Sequence, residues 1–114
     1  MVHYGAQVAE ELAQQGIEVE LLDLRSLVPL DEEAILRTVC KTNRLVVCHE
    51  DTKTGGFGAE IAARVAELGF EHLDAPIRRV AALDTPVPYA PRLEDAFMPR
   101  PPDIRRALEE TVEY

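Results

Sequence analysis

Hydrophobic and polar positions along the chain alternate between two periods, one suited to helices and one to strands. Val8 and Leu12, flanked by Ala9 and Ala13, share one helical face, and Gly16 ends that helix. Ile17-Glu18-Val19-Glu20-Leu21 alternates with period two and Leu22-Asp23-Leu24 continues it, which predicts a strand. The next helix starts at Pro29-Leu30-Asp31-Glu32-Glu33. Asp31 can cap the free amides, Glu32 and Glu33 suit the positive end of the helix dipole, and Leu30 can staple onto Ile35. Ile35, Leu36, Val39 and Cys40 share one side, and Asn43-Arg44 ends the run. Leu45-Val46-Val47-Cys48 is apolar on both faces, as a strand covered on two sides must be.

Past a loop from Asp51 to Gly58, Ile61, Val65 and Leu68 predict another helix, closed by Gly69. Ile77 to Leu83 predicts the next strand. Six of the eight prolines lie between Pro86 and Pro102, a stretch expected to form an extended surface arm. A last helix from about Asp103 carries Ile104, Leu108 and Val112 at four-residue steps. Alternating helices and strands imply a mostly parallel sheet with helices on both faces, an α/β/α arrangement.

Composition narrows the classes. The 114 residues suit one domain and can bury a core without metal or disulfide support. Twelve Lys and Arg face 21 Asp and Glu, a net charge of −9. Up to Phe57 there are five basic and ten acidic residues, and after it seven and eleven. Both halves are acidic, which argues against nucleic acid or an anionic membrane surface as partner. No apolar run approaches the roughly 20 residues of a membrane helix, and no signal peptide opens the chain. Cys40 and Cys48 lack any metal-ligand spacing and are expected as reduced core thiols, in the cytoplasm or in an organelle matrix.

Cys48-His49-Glu50-Asp51, at the carboxyl end of the central strand, is the sharpest catalytic candidate, because ligands of open α/β sheets bind at that edge. His49 could act as an acid–base group oriented by Glu50 or Asp51 in a small enzyme. Strand neighbours point to opposite faces, however, so the four cannot converge, and a polar cluster capping the strand is the structural alternative. Thr54-Gly55-Gly56-Phe57-Gly58 leads into a helix, as an anion-binding turn would. It matches neither the dinucleotide fingerprint nor the P-loop, and Glu60 would repel a phosphate. Glycines that permit the turn and a close helix approach explain it equally. Residues alone thus favour a domain without its own active site, such as a free-standing interaction module. The acids at Asp74 and at the Glu109-to-Tyr114 terminus suit a Lys or Arg of a partner, or simply a wet face.

Several of these segments together resemble the carboxyl-terminal domain of the beta subunit of thiamine-dependent 2-oxo acid dehydrogenases, of pyruvate or branched-chain type. The likeness runs through Gly16 to Asp31, Lys41 to Val47, His49-Glu50, Thr54 to Ile61, Leu73-Asp74-Ala75-Pro76 and Asp84 to Tyr89, in order and across essentially the whole chain. It implies a transketolase C-terminal-like α/β/α sandwich over residues 1–114. It also implies a whole enzyme that decarboxylates a 2-oxo acid oxidatively and passes the acyl group to lipoyl-lysine. Thiamine diphosphate and Mg²⁺ would sit between an alpha subunit and the beta subunit's amino-terminal domain, which is absent here, so this chain would bind no cofactor and be inactive alone. Its implied partners are the alpha subunit, a second beta subunit and the subunit-binding domain of the dihydrolipoyl acyltransferase core. A basic side chain of that domain would meet Asp74 and the terminal carboxylate of Tyr114, with Glu71, Glu110 and Glu113 adding to the field. Members of the family carry a strand, written VTIVTYG, before the first helix. Only its last residues would remain in Met1 to Gly5, leaving a sheet edge open to another chain.

Overall fold

The computed structural model describes all 114 residues. Helix α1 (Val2–Ala13) is followed by α2 (Glu32–Thr42), strand β1 (Val46–Thr52), α3 (Phe57–Leu68), a 3₁₀ turn (Phe70–His72), strand β2 (Arg78–Ala82), α4 (Pro91–Phe97) and α5 (Pro101–Val112). β1 and β2 pair in parallel, with Val46 opposite Arg78 and Cys48 opposite Val80. The pairing then shifts, so that Thr52 meets Ala82 and His49 to Asp51 bulge out of register.

Helices cover both faces of the strands. Val8 and Leu12 of α1 and Ile104 and Ala107 of α5 pack on Val80 from one side. Ile35 and Val39 of α2 and Ile61 and Val65 of α3 pack on Val47 from the other. Successive β1 residues therefore feed opposite layers: Val46 and Cys48 join the first cluster and Val47 the second. The apolar run of this strand has its expected explanation. Outside the core, an ion pair ties the two helices of each layer, Arg105 to Glu11 between α5 and α1, and Arg64 to Glu32 between α3 and α2.

Local signals work as expected at α2. Asp31 Oδ1 accepts the Ala34 amide at 2.9 Å, Leu30 packs against the cluster that holds Ile35, and Asn43 closes the helix in the left-handed conformation at φ 58°. Elsewhere the structure corrects the expectations. Residues Val2 to Gly5 form the first turn of α1, not the tail of a strand. The proline-rich arm contains α4, because Pro91 sits where a helix start leaves its amide unused, and Pro101 and Pro102 open α5 in the same way. Cys40 is exposed, one position round the helix from buried Val39, so only Cys48 belongs to the interior. Leu68 and Val112, expected in the core, are about half exposed, while Thr111 is buried and its hydroxyl donates to the Ala107 carbonyl at 2.6 Å.

The largest difference concerns Ile17 to Leu24. The segment is extended, and its side chains alternate as a strand's do. Ile17 and Val19 join the α1/α5 cluster, whereas Leu24 joins the α2/α3 cluster and Glu20 reaches Thr38 and Lys41 of α2. It pairs with no strand, because nothing lies alongside its backbone. Between Glu18 and Arg25 the only backbone hydrogen bond runs from the Ser26 amide to the Leu24 carbonyl.

Candidate functional site

His49 lies on the α3 side of β1, in step with Val47. Its ring packs against the start of α3. A Cβ on Gly58 would come within 2.4 Å of Nε2, and one on Gly56 within 2.7 Å of Cε1 and 2.2 Å of the Thr52 carbonyl oxygen. These two glycines are therefore needed for close approach, while Gly55 supplies a positive φ of 76° for the turn. Both ring nitrogens are buried without a hydrogen-bond partner.

The expected acid–base constellation does not form. Glu50 takes the amino group of Met1 at 3.4 Å, and Asp51 Oδ1 accepts the Thr52 amide at 2.8 Å. Neither orients His49. The bulge and the strand's alternation send the three side chains to different surroundings. The glycine-rich turn is no open phosphate cradle either, since the imidazole fills the space over Gly56 and Gly58. A diphosphate has no place there, and the first turn of α3 carries Glu60. No group of three His, Cys, Asp or Glu side chains is placed to hold a metal ion. The turn is braced instead by Asp84, whose carboxylate accepts the Thr54 amide at 2.8 Å and its hydroxyl at 2.7 Å. Those two bonds hold the Asp84 carboxyl below its ordinary pKa.

The segments that carry the acidic candidates are anchored at the opposite end of the strands. Asn43, the cap of α2, receives the Asp74 amide on its carbonyl at 2.8 Å and donates Nδ2 to the His72 carbonyl at 2.8 Å. Its neighbour Arg44 donates Nε to the Thr111 carbonyl at 3.0 Å in the last turn of α5. Two consecutive residues thus hold the Asp74 loop and the carboxyl end of α5 beside the amino ends of β1 and β2. Arg78 adds a contact to Glu110 at 3.7 Å. Asp74 and Tyr114 are exposed, as are Glu71, Glu110 and Glu113. Sequence reasoning named both carboxylates but missed Asn43 and Arg44 as the residues that anchor the two segments carrying them. The signal was the αL-prone Asn that ends α2.

The transketolase C-terminal domain family profile matches residues 1–104. The chain belongs to that family. It is 48% identical over 103 residues to the beta subunit of acetoin:2,6-dichlorophenolindophenol oxidoreductase of Bacillus subtilis, covering 90% of this chain and 30% of that protein. It is 49% identical to the mitochondrial pyruvate dehydrogenase E1 component subunit beta-1 of Oryza sativa subsp. japonica, over 96% of this chain and 29% of that one. With the 2-oxoisovalerate dehydrogenase subunit beta of B. subtilis the identity is 42%, over 99% and 35%. The chain thus spans about a third of the length of these relatives. A solved structure titled split gene transketolase, inactive beta4 tetramer, superposes with a TM-score of 0.81 over 98% of this chain and 35% of that one, at 21% identity. That likeness establishes the transketolase C-terminal fold, with fewer paired strands here than the sequence pattern predicts. No helix is long and apolar enough to cross a membrane.

Proposed function

We propose that this domain is the assembly and docking domain of a 2-oxo acid dehydrogenase beta subunit and that its acidic end receives the acyltransferase core. Its similarity to beta subunits of pyruvate and branched-chain 2-oxo acid dehydrogenases supports the general role. The observation that carries the docking assignment is the Asn43-Arg44 pair, which holds the Asp74 loop and the end of α5 at one end of the strands. Two exposed carboxylates on a fixed frame suit a guanidinium or ammonium group, which gains charge-assisted hydrogen bonds without first ordering its receptor. Thiamine diphosphate and Mg²⁺ belong to other parts of the whole enzyme in this reading. The domain's contribution is position, not chemistry.

The test is binding of the purified subunit-binding domain of a dihydrolipoyl acyltransferase, measured by calorimetry across a salt series. Asp74→Asn lowers the affinity at low salt by about tenfold, and a short extension after Tyr114 does the same. Both losses shrink as salt rises. Equal affinity of all three proteins at every salt concentration removes the docking assignment.

A further inference from the structure

We infer that Phe70, on the docking reading above, is the apolar anchor of the partner's seat, and that it receives an aliphatic side chain standing beside the basic group met by Asp74. Leu68, Gly69 and Phe70 join α3 to the 3₁₀ turn. Only Gly69 among them is buried, so close to Leu36 of α2 that a Cβ there would fall 3.1 Å from that side chain. The apolar side chains on either side stay in solvent, Leu68 49% exposed and Phe70 71%. Burial in the core therefore accounts for neither. An exposed aromatic ring on a fixed backbone has the character of an interface hot spot.

The backbone under Phe70 is fixed. Its carbonyl accepts the Leu73 amide at 3.1 Å, and the Gly69 carbonyl accepts the His72 amide at 3.0 Å. Asn43 holds the far side of the turn through the His72 carbonyl and the Asp74 amide, both at 2.8 Å. Phe70 and Asp74 thus belong to one braced turn. A partner that reaches the carboxylate has little left to order before it covers the ring.

The charges around the ring define the partner. From Val65 to Ile77 the chain carries Glu67, Glu71 and Asp74 and no Lys or Arg. The only ion-pair contact that any of these three makes is that of Glu71 with the His72 ring, at 3.8 Å. Elsewhere Glu11, Glu20, Glu32 and Glu60 are each matched by an Arg or Lys. An uncovered ring among unmatched carboxylates fits a polypeptide that presents an aliphatic side chain flanked by Arg or Lys. A second copy of this chain does not fit, because a twofold contact on Phe70 would set the same carboxylates against each other.

The experiment repeats the calorimetric salt series, with the same subunit-binding domain as probe, on Phe70→Ala, Phe70→Leu and Asp74→Asn. We expect Phe70→Ala to weaken binding about tenfold at every salt concentration, because apolar contact is not screened. Phe70→Leu recovers most of that loss, and both variants keep the parent's unfolding midpoint because the ring lies outside the core. Unaltered binding by Phe70→Ala, with Asp74→Asn still weakened at low salt, overturns the anchor and leaves the docking role of Asp74 standing. A loss that shrinks with salt, or that comes with a lowered midpoint, also overturns it, since Phe70 then acts only by placing the acids or by holding the fold. So does a loss that Phe70→Leu fails to reduce, which assigns the contact to the aromatic face and a cation. Equal affinity of Asp74→Asn and the parent at every salt concentration removes the docking reading itself, and the anchor with it.

Discussion

The imidazole of His49 occupies the space that a side chain on Gly58 would need, with a Cβ there falling 2.4 Å from Nε2. One residue on a strand thus dictates glycine at the start of the facing helix. Gly58→Ala forces the ring or the helix to move and is expected to cost about 1–3 kcal/mol in denaturant unfolding. His49→Ala removes the obstacle, so the double variant loses less than the two single costs combined. Strict additivity in that cycle shows that the ring and the glycine do not share the space.

Thr54-Gly55-Gly56-Phe57-Gly58 shows what a pattern discloses and what it withholds. Close approach was readable from the glycines, but the approaching group, His49, comes from a strand whose distance and register no spacing rule provides. Asp31 and Asn43 were readable as helix boundaries because capping is decided within a few residues. Ile17 to Leu24 alternated as a strand does, and its side chains do divide between two layers. A ladder also needs a neighbouring backbone, and that is absent from any single segment's pattern. The prolines misled for a related reason: a residue that breaks a helix interior is welcome at its first turn, and only the downstream packing of Phe97 and Ile104 shows which applies.

Asp31→Ala removes the acceptor for the Ala34 amide and leaves the first turn of α2 without its cap. Denaturant midpoints should report a loss of about 0.5–2 kcal/mol, and Asp31→Asn should recover most of it. An unchanged midpoint means that solvent satisfies the amide equally well.

The two thiols differ enough to be told apart chemically. Cys40 is exposed, whereas burial pushes the Cys48 thiol up to about 11. Iodoacetamide at pH 8 should label Cys40 rapidly and Cys48 only as fast as the protein opens. Stability follows with a definite sign. The unfolded thiol ionises near its ordinary value of 9.0 and the folded one near 11, so the unfolded chain binds fewer protons in between. Unfolding becomes easier as pH rises from 9 to 11, and Cys48→Ala should flatten that slope. An equally steep slope in the variant assigns the alkaline loss to other groups.

Asp84 works in the opposite direction. Its carboxyl is held below the ordinary value by the Thr54 amide and hydroxyl, so the stability it contributes is present above the unfolded pKa and fades as pH falls through the folded one. Asp84→Ala should loosen the Thr52–Gly56 turn at neutral pH, seen as faster exchange of the Thr54 amide. The variant and parent should converge in acid. A difference that persists undiminished in acid assigns the effect to packing, not to the charge.

Asn43 joins three structural tasks, since it ends α2 at φ 58°, accepts the Asp74 amide and donates to the His72 carbonyl. The tasks separate by substitution. Asn43→Gly keeps the left-handed turn without strain but loses the side-chain bond, whereas Asn43→Ala loses the bond and keeps a Cβ where the backbone disfavours one, without the side-chain amide that makes Asn tolerant of that conformation. The alanine variant should therefore be the less stable by about 1 kcal/mol. Both should free the His72 carbonyl and let the Asp74 loop drift from the end of α5. In the acyltransferase-binding assay the two variants should then lose affinity to a similar degree despite their different stabilities. If affinity instead tracks stability, the loop's position matters only through folding. If neither variant binds more weakly, the frame built on Asn43 and Arg44 does not set the geometry of the acidic end.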